Sequence, residues 1–169
     1  MFIFICGTSG SGKSFYAEER LENFSGSQKF YIATAKIYDE EMRERVKKHK
    51  AMRKNKGFAT IEKTFDVGTI KIPGASSVLI EALTTWLANE MFEHGENFLA
   101  AEKILGDFHA LKARCKNIIL VSDDIFSDGI IYDELTEKYI KALAGLTKNF
   151  AAEADEVIGC FAGLPIRLK

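Results

Sequence analysis

One run of eight residues near the start of the chain, Gly7-Thr8-Ser9-Gly10-Ser11-Gly12-Lys13-Ser14, limits what the chain can fold into more than any other feature. Its spacing is G-x4-G-K-S. Glycines let such a loop curl until successive backbone N–H groups point inward, making a concavity that accepts phosphate oxygens. A short apolar run at 2–6 (Phe-Ile-Phe-Ile-Cys) leads into it, and from Ser14 the apolar period becomes helical, with Tyr16, Ala17 and Leu21 on one face. A strand that feeds such a loop, followed by a helix, aims the helix N-terminus at the same phosphates. Lys13 is placed to reach the β and γ phosphates, and the Ser14 hydroxyl to join a Mg²⁺ shell. Gly7 to Ser14 therefore read as the binding loop for a nucleoside triphosphate.

Beyond the loop, buried strands alternate with helices. Strands are expected at 2–6, 29–34, 59–63, 78–83 and 117–122, with a closing pair at 156–161 and 166–169 joined by the turn Ala-Gly-Leu-Pro. Helical patterns cover 14–24, 39–54, 84–92, 97–115 and 133–154. The strands are mostly continuous apolar runs rather than alternating ones. That pattern predicts an α/β protein with a mostly parallel sheet, helices on both faces and an antiparallel edge hairpin.

The bulk properties exclude several classes. The 169 residues fit one domain, 1–169, large enough to bury a core without a disulfide or structural metal. With 23 Lys+Arg against 24 Asp+Glu, a polycationic nucleic-acid coat is excluded and no nucleic-acid partner is expected. No apolar stretch approaches the roughly 20 residues that span a bilayer, so no membrane insertion is expected. Cys6, Cys115 and Cys160 are an odd number at spacings that suit neither a disulfide framework nor a zinc site. The N-terminus has no basic segment before its apolar run, so it does not read as a signal peptide, and a cytoplasmic setting is expected.

A phosphate loop needs a second acid to hold the metal, at the C-terminal edge of a neighbouring strand. Glu81, ending Val-Leu-Ile-Glu, is best placed, with Asp123 and Asp124 as competitors. A further candidate is His49. At helical spacing Met42, Val46 and His49 share a face, and Arg45, Lys47, Lys48, Lys50, Arg53, Lys54 and Lys56 surround it. Those cations would attract phosphate and favour the neutral, nucleophilic imidazole. The alternatives are a half-buried core histidine or an ordinary charged helix face. His94 and His109 have no partner motif and read as structural.

Taken in order, these pieces resemble the bifunctional adenosylcobinamide kinase / adenosylcobinamide-phosphate guanylyltransferase family of cobalamin biosynthesis. The likeness rests on the strand–GTSGSGKS–helix start, YIATAKIYDEEMRERVKKHKAMR, the IE of ATIEK, VLIEALTTWLAN and the ending AAEADEVIGCFAGLPIRLK. It implies a P-loop NTPase fold of RecA-like type and a homotrimer. It also implies a corrinoid acceptor with GTP or ATP, and Mg²⁺, at one triphosphate site. In this family the helix histidine attacks the α-phosphate of GTP and carries GMP; the matching position is His49. Thr34, Ala35 and Lys36 match the family's nucleotide-contacting segment after the second strand. Lys50, Ala51, Met52, Arg53, Glu62 and Glu81 match further nucleotide positions.

The chain also departs from the family. Val121-Ser122-Asp123-Asp124-Ile125-Phe126 stands where a VSNEVG-like segment is usual, and Tyr132 to Tyr139 lack the Pro-Glu-Asn…Arg…Phe-Arg-Asp pattern. Lys148-Asn149 replace an Asn-Gln pair, and Ala82 a cysteine. These departures fall where the corrinoid or a neighbouring subunit is expected. For His49 to reach an α-phosphate its helix is expected to move, with Gly57 and Gly68 as pivots. The rival readings are a P-loop kinase of other acceptor specificity and a nucleotide-binding module, with the histidine not catalytic in either.

Overall fold

The computed structural model describes residues 1–36, 40, 43, 44, 47, 56–93, 99–126 and 129–169. Its strands are β1 (Phe2–Gly7), β2 (Lys29–Ala33), β3 (Ala59–Glu62), β4 (Ser76–Glu81), β5 (Cys115–Asp123), β6 (Glu156–Phe161) and β7 (Leu164–Arg167). They form a seven-stranded sheet in the order β3-β2-β4-β5-β1-β6-β7. Every neighbouring pair is parallel except β6 and β7, the antiparallel edge. The described helices are α1 (Lys13–Asn23), α2 (Leu83–Phe92), α3 (Ala100–Lys112) and α4 (Glu134–Glu153).

The unbroken apolar character of β1 has a simple cause: both faces of the sheet are covered. Phe2 and Phe4 pack into the core beneath α2, α3 and α4, with Trp86, Phe108 and Phe150. Ile3 and Ile5 point the other way, into the smaller cluster beneath α1, with Ala17, Leu21 and Tyr31. The Phe108 ring lies 4.7 Å from Phe2 and 4.7 Å from Phe150. Truncating any of these three rings to alanine would cost about 3–5 kcal/mol. The long helix α4 starts at a proper cap, with the Asp133 carboxylate accepting from the Leu135 and Thr136 N–H groups, both at 3.0 Å.

Several boundaries differ from the sequence expectation, each for a visible reason. β4 begins at Ser76 rather than Val78, because the buried serine hydroxyls find partners: Ser76 donates to the Pro73 carbonyl at 2.6 Å, and Ser77 accepts from Asn117 at 2.9 Å. It also ends at Glu81. Ala82, expected within the strand, leaves the ladder because its N–H and carbonyl are both taken by the Thr34 hydroxyl, at 2.8 Å each. The closing turn is two residues, Ala162 and Gly163, with φ of 49° and 82°. That geometry suits a tight hairpin, so Leu164 and Pro165 join β7, where proline is tolerated on an edge strand.

Of the charged helix expected at 39–54, Glu40, Arg43, Glu44 and Lys47 are helical and exposed. His94 lies outside the described residues. His109 stays on the surface of α3, 3.0 Å from Glu153 of α4. Gly68 is not free to act as a pivot: a Cβ there would stand 2.6 Å from the Asp107 Cα, so glycine serves close packing against α3. Among the described residues no helix is long and apolar enough to cross a membrane.

Candidate active site

All six parallel strands point their C-terminal ends to one edge, and the candidate residues collect there. Gly7 is in register with Asp123 of β5 and Cys160 of β6, and Ala33 with Glu81 and Glu62. The loop after β1 is held from below. The Ser11 N–H donates to the Thr8 carbonyl at 3.2 Å, and the Gly163 N–H of the edge hairpin donates to the Ser11 carbonyl at 3.0 Å. A Cβ on Gly7 would stand 2.6 Å from both the Cys160 carbonyl and the Ser11 hydroxyl. Gly12 has φ of 88°, and a Cβ there would stand 3.1 Å from Gly163 Cα. Only glycine meets both conditions at Gly12.

Lys13 and Ser14 open α1 directly above this floor. The Lys13 ammonium is buried, donating to the Thr8 carbonyl at 3.2 Å and pairing with Asp123 Oδ1 at 2.7 Å. The Ser14 hydroxyl donates to Glu81 Oε1, and Glu81 Oε2 accepts from the Tyr31 phenol at 2.7 Å. A serine hydroxyl and a carboxylate held together offer two hard oxygen donors, which fits Mg²⁺. The Ser11 hydroxyl, inside the loop, is buried without a hydrogen-bond partner among the described residues. A buried hydroxyl of this kind is what a bound oxyanion would satisfy.

The other expected residues are distributed unequally. Thr34 is fully buried and structural in its contacts: its hydroxyl bonds Ala82 and the Thr85 hydroxyl, and its carbonyl accepts from Asn89 at 2.8 Å. Ala35 follows it at the same edge, and Lys36 pairs with Glu93. Glu62 is exposed at the end of β3, two strands beyond Glu81, with Ala33 of β2 in register between them. His49, Lys50, Ala51, Met52 and Arg53 lie outside the described residues. Lys56 is already engaged with Glu18 at 2.8 Å and Glu22 at 3.7 Å. Burial pulls its pKa down, but those two acids more than offset it and raise it.

Three contributors escaped the sequence reading. Thr84 donates to Asp123 Oδ2 at 2.7 Å, Tyr31 fixes Glu81, and Gly163 supports the loop from a hairpin 150 residues downstream. All three lie in stretches that carry the family likeness, Tyr31 in YIAT, Thr84 in TTWLAN and Gly163 in CFAGLPIRLK, but the contacts they make depend on strand order.

The sheet, the loop at its C-terminal edge and the hairpin beneath it define the class: a P-loop NTPase fold of RecA-like type. Two solved structures share the architecture. One is an ATPase domain, with a TM-score of 0.51 and 14% identity over 94% of this chain and 68% of that one. The other is the flagellar accessory protein FlaH of Methanocaldococcus jannaschii, at 0.50 and 14% over 99% and 77%. Identity this low establishes fold alone.

Sequence comparison goes further. The model of the family "Cobinamide kinase / cobinamide phosphate guanyltransferase" matches residues 3–168, and the chain belongs to that family of nucleotide-using transferases. It is 32% identical to the bifunctional adenosylcobalamin biosynthesis protein CobP of Pseudomonas aeruginosa, over 98% of this chain and 95% of the relative. It is 29% and 28% identical to the bifunctional adenosylcobalamin biosynthesis proteins CobU of Salmonella typhimurium and Escherichia coli, in each case over the full length of both chains.

Proposed function

We propose that this chain, residues 1–169 acting as one domain, phosphorylates adenosylcobinamide with GTP or ATP and then transfers GMP from GTP to the phosphorylated product. The observation that carries the reading is the junction of Lys13, Ser14, Glu81 and Asp123 at one strand edge, in a chain of this family. The loop Gly7–Ser14 wraps the triphosphate with its backbone N–H groups. Lys13 neutralises the β and γ oxygens as charge redistributes. Ser14 and Glu81 would hold Mg²⁺, which supplies further neutralisation of the phosphates. Little covalent work falls to the protein in this first step, because positioning and electrostatics dominate phosphoryl transfer.

In the second reaction a neutral imidazole nitrogen of His49 attacks the α-phosphorus of GTP. The bond to the β-phosphate oxygen breaks and pyrophosphate leaves, carrying the bonding pair. A phosphate oxygen of the acceptor then attacks the same phosphorus, the phosphorus–nitrogen bond breaks, and the imidazole is regenerated. One hard displacement becomes two easier ones. Thr34, Ala35 and Lys36, with Lys50 to Arg53 and Glu62, contribute to nucleotide contacts in this reading; Glu62, from its position, serves the nucleoside end. The enzyme works in the cytoplasm as a homotrimer. Support for the His49 role, the trimer and the corrinoid comes from the sequence resemblance.

The test is chromatographic analysis of adenosylcobinamide incubated with the protein, Mg²⁺ and GTP. The reading requires conversion first to the phosphate and then to the GDP derivative. Consumption of GTP with the corrinoid unchanged would sink it.

A further inference from the structure

We infer that Asp123 is a positioning residue for the triphosphate reactions, holding Lys13 on a carboxylate until a phosphate chain displaces it. The inference rests on the reading that Gly7–Ser14 receives a triphosphate.

The geometry is explicit. The Lys13 side chain is 9% exposed, so its ammonium relies largely on protein partners, the Thr8 carbonyl and Asp123 Oδ1 at 2.7 Å. The other oxygen of Asp123 accepts from the Thr84 hydroxyl at 2.7 Å, so the carboxylate is fixed at both ends. The Thr84 carbonyl in turn accepts from the Tyr139 phenol at 3.0 Å. Burial and the Asp123 charge both push that phenol above its ordinary range, so it remains a donor. Four elements, α1, β5, α2 and α4, thus converge on one ion pair. Because Gly7 and Asp123 are paired in register, the carboxylate stands directly beside the floor of the loop.

The Lys13 ammonium has three N–H donors, and with the Thr8 carbonyl and Asp123 taking two it has too few left to bond both β and γ phosphate oxygens unless one of them is released. The apparent affinity for a triphosphate is therefore reduced by the fraction of molecules in which Lys13 is withheld. A ligand whose only phosphate is cradled by backbone N–H groups does not call on Lys13 and escapes that reduction. Asp123 thereby sets triphosphate affinity without touching the nucleotide.

Calorimetric titration of the full chain with GTP and with GMP, each with and without Mg²⁺, tests this for wild type, Asp123→Asn, Asp123→Glu and Thr84→Val. Asp123→Asn should bind GTP about tenfold more tightly, with GMP binding within about twofold of wild type. Asp123→Glu, which restores the charge, should return toward wild type, and Thr84→Val should give a smaller tightening. In turnover, KM for GTP should fall in Asp123→Asn without a matching rise in kcat. Unchanged GTP affinity overturns the inference, as does an equal change for GMP. Weaker GTP binding in Mg²⁺ alone would make Asp123 a metal ligand instead. Should Asp123→Asn fail to fold, Thr84→Val decides in the same way. A wild-type chain that binds no GTP at all would remove the functional reading together with this one.

Discussion

The Ser14 hydroxyl donates to the Glu81 carboxylate even though a whole strand, β5, separates β1 from β4. α1 spans that gap because it rises from the loop over the sheet edge, which places its first turn above the end of β4. If this junction is where the metal is held, Glu81→Gln and Ser14→Ala should each lower Mg²⁺-dependent phosphorylation on the order of 10²–10³-fold while leaving the fold intact. Tyr31→Phe removes only the support of Oε2 and should lower it by about tenfold. Initial rates across a Mg²⁺ titration, with circular dichroism for folding, check all three.

The loop glycines should rank by cause. Gly7→Ala drives a methyl against the Cys160 carbonyl and the Ser11 hydroxyl, and Gly12→Ala combines positive φ with a tight approach to Gly163. Gly10→Ala meets nothing within 4 Å and bears only the backbone term at φ of 73°. Unfolding free energies from urea titration should therefore fall most for the first two, by about 1–3 kcal/mol, and by about 1 kcal/mol for Gly10→Ala.

Lys103 sits among three acids, at 2.7 Å from Glu90, 2.8 Å from Asp66 and 3.1 Å from Asp107. Burial pulls its pKa down, but those carboxylates raise it well above the ordinary lysine range. Lys103→Met leaves the buried Glu90 uncompensated beside two like charges and should destabilise by about 1–3 kcal/mol. Adding Glu90→Gln should recover part of that loss. Thermal melts of the single and double variants measure it.

The half-buried thiol of Cys115 is pushed up to about 11 by burial, against a small opposing pull from Arg114. The unfolded thiol ionises near its ordinary value of 9.0, so between about pH 9 and 11 the folded state binds more protons than the unfolded one. The contribution of this group to stability should therefore be intact below pH 9 and decline as pH rises through that window. In Cys115→Ala the decline should be smaller. Alkylation of native Cys115 at pH 8 should be slow.

How far this could be read beforehand depends on the kind of signal. Phe2 to Ser14 were legible because a continuous apolar run and a glycine loop are local facts, and so was the helix at 133–154, whose helical pattern is local too. Contacts that depend on strand order were not. Nothing in the sequence near Lys13 announces that β5 lies next to β1 and brings Asp123 to it, or that a two-residue turn at Ala162–Gly163 folds back under Gly12. The early start of β4 was hidden for a related reason. Ser76 and Ser77 look like loop residues until their hydroxyls are seen to be satisfied by Pro73, Ser27 and Asn117.

The proposed function requires that one triphosphate site serve both transfers, the second through His49. It is tested most directly by incubating the protein with α-³²P-GTP and Mg²⁺, followed by a denaturing gel, beside His49→Ala. Wild type should carry label that survives alkali and is lost in acid, as a phosphorus–nitrogen bond requires, and His49→Ala should carry none. Equal label on the variant, or none on a wild type that binds GTP, would contradict it.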